Sequence, residues 1–186
     1  MAADERSLVL QRQRQLKWKQ LDWLESLLML LCGFTLFAFS LSVVCDIVTR
    51  EIGRPWLWLQ EVTSTFFIYG IFIGAAVATR RNDHLFLAAI GDSLHGRPRL
   101  IIETAIRAVV IGVGLFLVWF GYVNFVRGFG SFRMPSMTPI ASLYAVIPIS
   151  GALVALFAFE QLVNGWRNGF ESRPEDHLPE EGAGSP

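Results

Sequence analysis

Charge is scarce in this chain, and the gaps between charges are long. Only 17% of the 186 residues are Asp, Glu, Lys or Arg, against 53% hydrophobic. The mean hydropathy of +0.44 is too apolar for an ordinary soluble domain of this size. Cysteine is nearly missing. Cys32 and Cys45 lie 13 residues apart on one predicted helix, roughly 20 Å of rise, which excludes a disulfide between them. They are expected to pack, with no redox or metal role. Histidine is limited to His84, His95 and His177, all outside the apolar runs, so a haem held by two helical histidines is excluded. No His, Cys or carboxylate spacing suits zinc. No Gly-rich phosphate loop, Ser-His-Asp set or pair of glycosidase carboxylates can be argued. The expectation is no catalytic residue, no metal, no cofactor, no enzyme and no nucleic-acid partner. An internal repeat is missing as well, and the inverted repeats of a complete secondary transporter need more helices than this chain holds.

Four uncharged runs are what is there: Ser26 to Cys45, Val62 to Thr79, Ala108 to Val126 and Met134 to Phe159. Val62 to Thr79 has 18 residues. At about 1.5 Å per residue it nearly matches a hydrocarbon core of about 30 Å. The predicted fold is an all-α integral membrane protein with transmembrane helices over about 24–48, 58–79, 101–126 and 138–162. A cleaved signal peptide is the alternative for the first run, with Ala38-Phe39-Ser40 as its cleavage site, but that run exceeds a signal core of about 7 to 15 residues.

Residues 1–22 form an N-terminal segment whose stretch 8–23 mixes leucine and tryptophan with Lys, Arg and Gln, as an interfacial helix does. A second interfacial segment, about 84–95, is too short to cross and follows the second span. The membrane domain is assigned to 23–166, and the Glu-, Pro- and Gly-rich stretch 167–186 to an acidic, disordered tail. Trp18, Trp23, Trp56, Trp58 and Trp166 sit at predicted helix edges, as an aromatic belt would. Lys and Arg number 11 in the N-terminal segment, the middle loop and the C-terminal flank. The first and third loops hold only four, Arg50, Arg54, Arg127 and Arg133. This asymmetry predicts that both termini are cytoplasmic.

Polar residues at the span ends are the site candidates. Asp46 and Arg50 are four apart and can pair along one helix face. Glu61 opens the second span at the same predicted depth, so Asp46, Arg50, Arg54 and Glu61 could cluster. A structural clamp, a partner contact and an ion path remain open for them. Gly70, Gly74 and Ala78 form a small-residue stripe for helix packing, about 180° around the helix from Glu61. Glu103 and Arg107 can pair locally, and Glu160 is expected to stay hydrated at the end of the fourth helix. Pro148 should kink that helix.

Taken in order, these residues resemble a known family. Arg50 ends the first helix, Trp58-Leu-Gln-Glu61 opens the second, Gly74-Ala75 lies within it, and Arg80 with His84 follows. Pro139, Tyr144, Pro148 and Gly151 repeat a proline–tyrosine–proline–glycine spacing in the fourth helix. The pattern is similar to the small permease (DctQ-like) subunit of tripartite ATP-independent periplasmic (TRAP) transporters, over roughly residues 24 to 165. Glu51 stands where that family usually has an aromatic residue, and Leu87, Ala88 and Ala89 where it has an acid. The resemblance implies a multi-pass inner-membrane subunit that braces a large multi-span permease subunit. The large subunit would carry the sodium and substrate sites. A periplasmic substrate-binding protein would deliver an organic acid, with uptake driven by an ion gradient. Membrane lipid is the remaining partner. Arg50, Arg54, Arg127 and Arg133 are then candidates to meet the binding protein. The rival readings are a small homodimeric exporter and a membrane anchor of a redox complex.

Overall fold

The computed structural model describes residues 16–81 and 97–168. A short 3-10 turn, Lys19–Leu21, leads into α1, Asp22–Glu51. After it come α2 (Leu59–Arg81), α3 (Arg97–Arg127), the short α4 (Ala141–Tyr144) and α5 (Val146–Asn168). Among the described residues, four stretches are long and apolar enough to cross a membrane: Lys19–Glu51, Leu59–Arg81, Leu100–Gly130 and Ala141–Arg167. They are the four predicted crossings, with ends carried further than the uncharged runs. A charge at a helix end is tolerated where it finds a partner or reaches the interface. The predicted interfacial segments, His84, His95, His177 and the acidic tail lie outside the described residues, apart from the 16–23 end of the first segment and residues 167–168, which finish α5.

The last crossing is split. α4 stops at Tyr144, and α5 begins two residues later at Val146. Pro148 has no N–H to return to the Tyr144 carbonyl, which lies four residues back. The break therefore falls one turn before the proline, where a kink was expected.

The helices stand side by side in the order α1, α2, α5, α3. Among the described residues, α1 approaches α2, α2 approaches α5, and α5 approaches α3; α1 and α3 make no close backbone approach. The result is a layer rather than a closed bundle. The last crossing, between α2 and α3, is the most buried, with 33% of its most apolar window covered, and the edge helix α3 the least, with 11%.

Small residues make the contacts. In a bilayer, packing and hydrogen bonds hold helices together, because lipid is as apolar as leucine. A Cβ added to Gly151 would sit 2.8 Å from the Gly114 carbonyl oxygen, and one added to Gly114 would sit 2.9 Å from the Gly151 oxygen. Backbone meets backbone there, and no side chain fits. Gly70 and Gly74 face α1, near the Thr35 Oγ1 and the Cys32 Sγ. Further in, Leu28, Ala76, Val77, Val154 and Phe157 form an apolar core shared by α1, α2 and α5.

Candidate functional site

Two polar sites flank this layer, one at each end. The first gathers where α1 begins and where α2 and α5 end. Arg80, on the last turn of α2, is fully buried with Glu25 and Glu160. The helix periods bring them together: Glu25 stands three residues before the core Leu28, and Glu160 three after the core Phe157.

Every N–H of the Arg80 guanidinium has an acceptor. Nε donates to Glu160 at 3.3 Å. Nη1 donates to the Leu21 carbonyl and to Glu25. Nη2 donates to the Trp18 carbonyl and to Asp22, each at 3.0 Å, and more weakly to Glu160. The Phe157 ring lies 5.5 Å from the guanidinium carbon. Lys17 and Arg81 both pair with Glu25. Three cations, Lys17, Arg80 and Arg81, thus face three carboxylates, Asp22, Glu25 and Glu160. Burying charge is costly, and it is sustained only when the charges are paired and their remaining donors satisfied.

Neutral side chains finish this hub. The Trp18 backbone N–H donates to Glu160, and its indole N–H donates to Asn164 Oδ1. Asn164 donates to the Leu16 carbonyl. Gln161 donates to the Thr79 and Arg80 carbonyls, two of the acceptors left open at the end of α2. Burial holds the Lys17 ammonium below its ordinary value of 10.5, against the opposing pull of Glu25.

Here the structure differs from the sequence expectation. Glu160 is buried and bonded, not hydrated, and Arg80 and Arg81 are parts of a buried network as well as a basic helix end. The missed signal was acidic: Asp22, Glu25 and Glu160 sit on the same side of the layer as the arginines that end α2. Exposed carboxylates and buried partners look alike in a sequence.

The second site lies at the other end. Residues 131–140 fold back on themselves, with Arg133 N–H bonded to the Thr138 carbonyl at 2.9 Å and Ile140 N–H to Ser131 at 2.9 Å. Phe132 and Pro139 form an isolated antiparallel bridge. This small hairpin docks on the first turn of α2. The Glu61 carboxylate accepts from the Ser136 N–H and from the Ser136 hydroxyl. Arg133 donates to Thr65 Oγ1 at 2.9 Å and to the Glu61 carbonyl at 3.1 Å, and its Nε is 3.9 Å from the Glu61 carboxylate. Tyr69 donates to the Ser142 carbonyl at 2.7 Å, tying α2 to α4. A cavity of about 310 Å³ opens beside Glu61 and Arg133.

The predicted helix-end residues divide between two places. Asp46 and Arg50 pair with each other at 3.1 Å on an exposed face of α1. The ion pair recorded for Glu61 is with Arg133, on the hairpin. Arg54 and Arg127 are exposed. Trp58 lines the cavity and stacks on Trp56, with ring centroids 5.8 Å apart. Glu103 and Arg107 do pair within α3. Ala78, beyond Gly74, is half-buried.

An all-helical layer with four crossings defines a small multi-pass membrane protein that fits the inner membrane. Residues 39–168 match the family described as Tripartite ATP-independent periplasmic transporters, DctQ component, and the chain belongs to that family. Two relatives are similar to it. One is the sialic acid TRAP transporter small permease protein SiaQ of Vibrio cholerae, 24% identical over 67% of this chain and 75% of that protein. The other is the sialic acid TRAP transporter permease protein SiaT of Haemophilus influenzae, 24% identical over 69% of this chain but only 21% of that longer protein.

Proposed function

We propose that this chain braces the large permease subunit of a TRAP transporter and helps to dock a periplasmic substrate-binding protein during ion-gradient-driven uptake of an organic acid. The observation that carries this reading is the open layer. Among the described residues, its edge helices α1 and α3 have helical neighbours on one side only, and Phe34, Phe37, Leu41, Val113, Phe116 and Trp119 are exposed. Apolar surface of this extent suits lipid and a larger membrane partner together. The names of the relatives point to sialic acid, itself an organic acid, as one member of the substrate class.

In this reading the 11-to-4 excess of Lys and Arg puts both termini in the cytoplasm, so that Glu61 and the hairpin face the periplasm. Sodium and substrate sites belong to the large subunit, and this chain performs no catalysis. Arg54 and Arg127 are the exposed cations that suit an acidic docking surface, since Arg50 shares its charge with Asp46 and Arg133 turns toward Glu61.

Purification from native membranes should recover a large multi-span partner in stoichiometric amount. Recovery of a self-dimer alone would favour the exporter reading instead. With the complex in hand, the double variant Arg54→Glu, Arg127→Glu should lower uptake while leaving assembly intact. Uptake at the unmodified rate would remove the docking role.

A further inference from the structure

The cavity beside Glu61 has two unlike walls. Trp58, Val62 and Phe66 of the α2 end supply an apolar side, while Arg133, Thr138 and Ser142 supply a polar one. Its volume, about 310 Å³, is at the lower end of the range for small-ligand sites, about 300–1,000 Å³. The stacked pair Trp56 and Trp58 stands beside it at the start of α2, where a crossing helix meets the headgroup layer.

Arg133 is incompletely used. Among the described residues its guanidinium donates two hydrogen bonds, one to Thr65 and one to the Glu61 carbonyl. Its Nε stands 3.9 Å from Glu61, an ion-pair distance and too long for a hydrogen bond. A guanidinium has five N–H groups in a planar fork matched to phosphate oxygens. Arg133 lines this cavity, and its fork has N–H groups beyond those two bonds. Glu61 beside it leaves the formal charge of the pair at zero, which disfavours a free anion. It suits a ligand that carries one charge of each sign.

We infer that this cavity binds the headgroup of a zwitterionic phospholipid, the phosphate on Arg133 and the ammonium on the Glu61 side, with the glycerol and first acyl carbons against Trp58, Val62 and Phe66. A phospholipid satisfies both walls at once: the polar wall takes a zwitterion and the apolar wall takes hydrocarbon. The inference does not depend on which partner the layer braces.

The test uses the full chain, purified and stripped of native lipid, with bound lipid read by native mass spectrometry. Phosphatidylethanolamine, phosphatidylglycerol and inorganic phosphate are titrated separately. Phosphatidylethanolamine should bind most tightly, and Arg133→Gln should weaken it roughly tenfold or more, as loss of a charge-assisted contact does. Because Arg133→Gln also loosens the hairpin, Val62→Trp serves as a second variant. It fills the cavity from the apolar wall and leaves the Glu61–Ser136 contact in place, and it should abolish the binding at unchanged helix content. Retention equal to the unmodified chain in both variants overturns the inference. So does tighter binding of phosphatidylglycerol or inorganic phosphate than of phosphatidylethanolamine. An equal loss on Arg54→Gln, at an exposed cation outside the cavity, would also overturn it, by showing diffuse surface attraction. Unchanged lipid binding in Val62→Trp together with lost binding to a periplasmic protein would make the cavity a protein contact and sink the lipid reading.

Discussion

At one end of the helix layer Arg80 has an acceptor for every N–H; at the other, Arg133 uses part of its fork and faces a cavity. Both are arginines beside carboxylates near the end of a crossing. They differ in what surrounds them. Arg80 joins the N-terminal segment, α1 and α5 to α2, and it is fully buried. Arg133 joins a ten-residue hairpin to a single helical turn and stays partly open. The first arrangement fixes helices relative to one another. The second fixes a loop and leaves space beside it.

The sharpest way to break this contrast is to remove the closed arginine. We predict that Arg80→Met leaves Asp22, Glu25 and Glu160 with too little positive charge and costs about 3–5 kcal/mol, as breaking a buried ion pair does. Thermal unfolding of the purified chain would read it, with a loss of helix contacts around Trp18 and Asn164. A variant as stable as the unmodified chain would mean that the hub is not what joins these helices.

Removing charge at the open end should do less. Glu61→Gln keeps an acceptor for Ser136 but gives up its charge, so we predict a loss of about 1 kcal/mol confined to the hairpin. Amide hydrogen exchange should quicken across 131–140 and stay unchanged within α2. A fall in overall stability matching that of Arg80→Met would erase the distinction between the two ends.

The smallest effect concerns Lys17. Its pKa is held below 10.5 by burial, so the folded chain gives up this proton at a lower pH than the unfolded chain does. Below the folded value both states are protonated and the cost of the buried charge is fully present. As pH rises from there toward 10.5 the unfolded chain binds more protons, and the Lys17 contribution becomes more favourable. The unmodified chain should therefore gain stability relative to Lys17→Met across that alkaline window. Parallel pH profiles for the two proteins would rule this out.

The crossings were legible because length and lack of charge alone define them. Family membership was legible from the order of Trp58, Glu61, Gly74 and the proline-bearing fourth helix. The hub was not. Its members are spread over residues 17 to 164, and a carboxylate at a helix end is equally at home in water. Nor was the pairing of Glu61 legible. Depth along the membrane places Asp46, Arg50 and Arg133 alike at one end, and only the lateral order of the helices and the fold of the loop select Arg133. The reciprocal contact of Gly114 with Gly151 was half visible, since Gly151 belonged to the family pattern while Gly114 stood in a run of apolar residues with no signal of its own.

The position of Glu160 in the hub has a consequence for biosynthesis. The chain is made from its N-terminus, so Lys17, Asp22, Glu25, Arg80 and Arg81 are all synthesised before the helix that brings Glu160. Up to that point the group holds three cations and two carboxylates. Arrival of the final crossing supplies the third carboxylate, and with Trp18 and Asn164 it pins the N-terminal segment in place. The N-terminal segment before the first crossing and the end of the fourth crossing are thus secured by the same contacts.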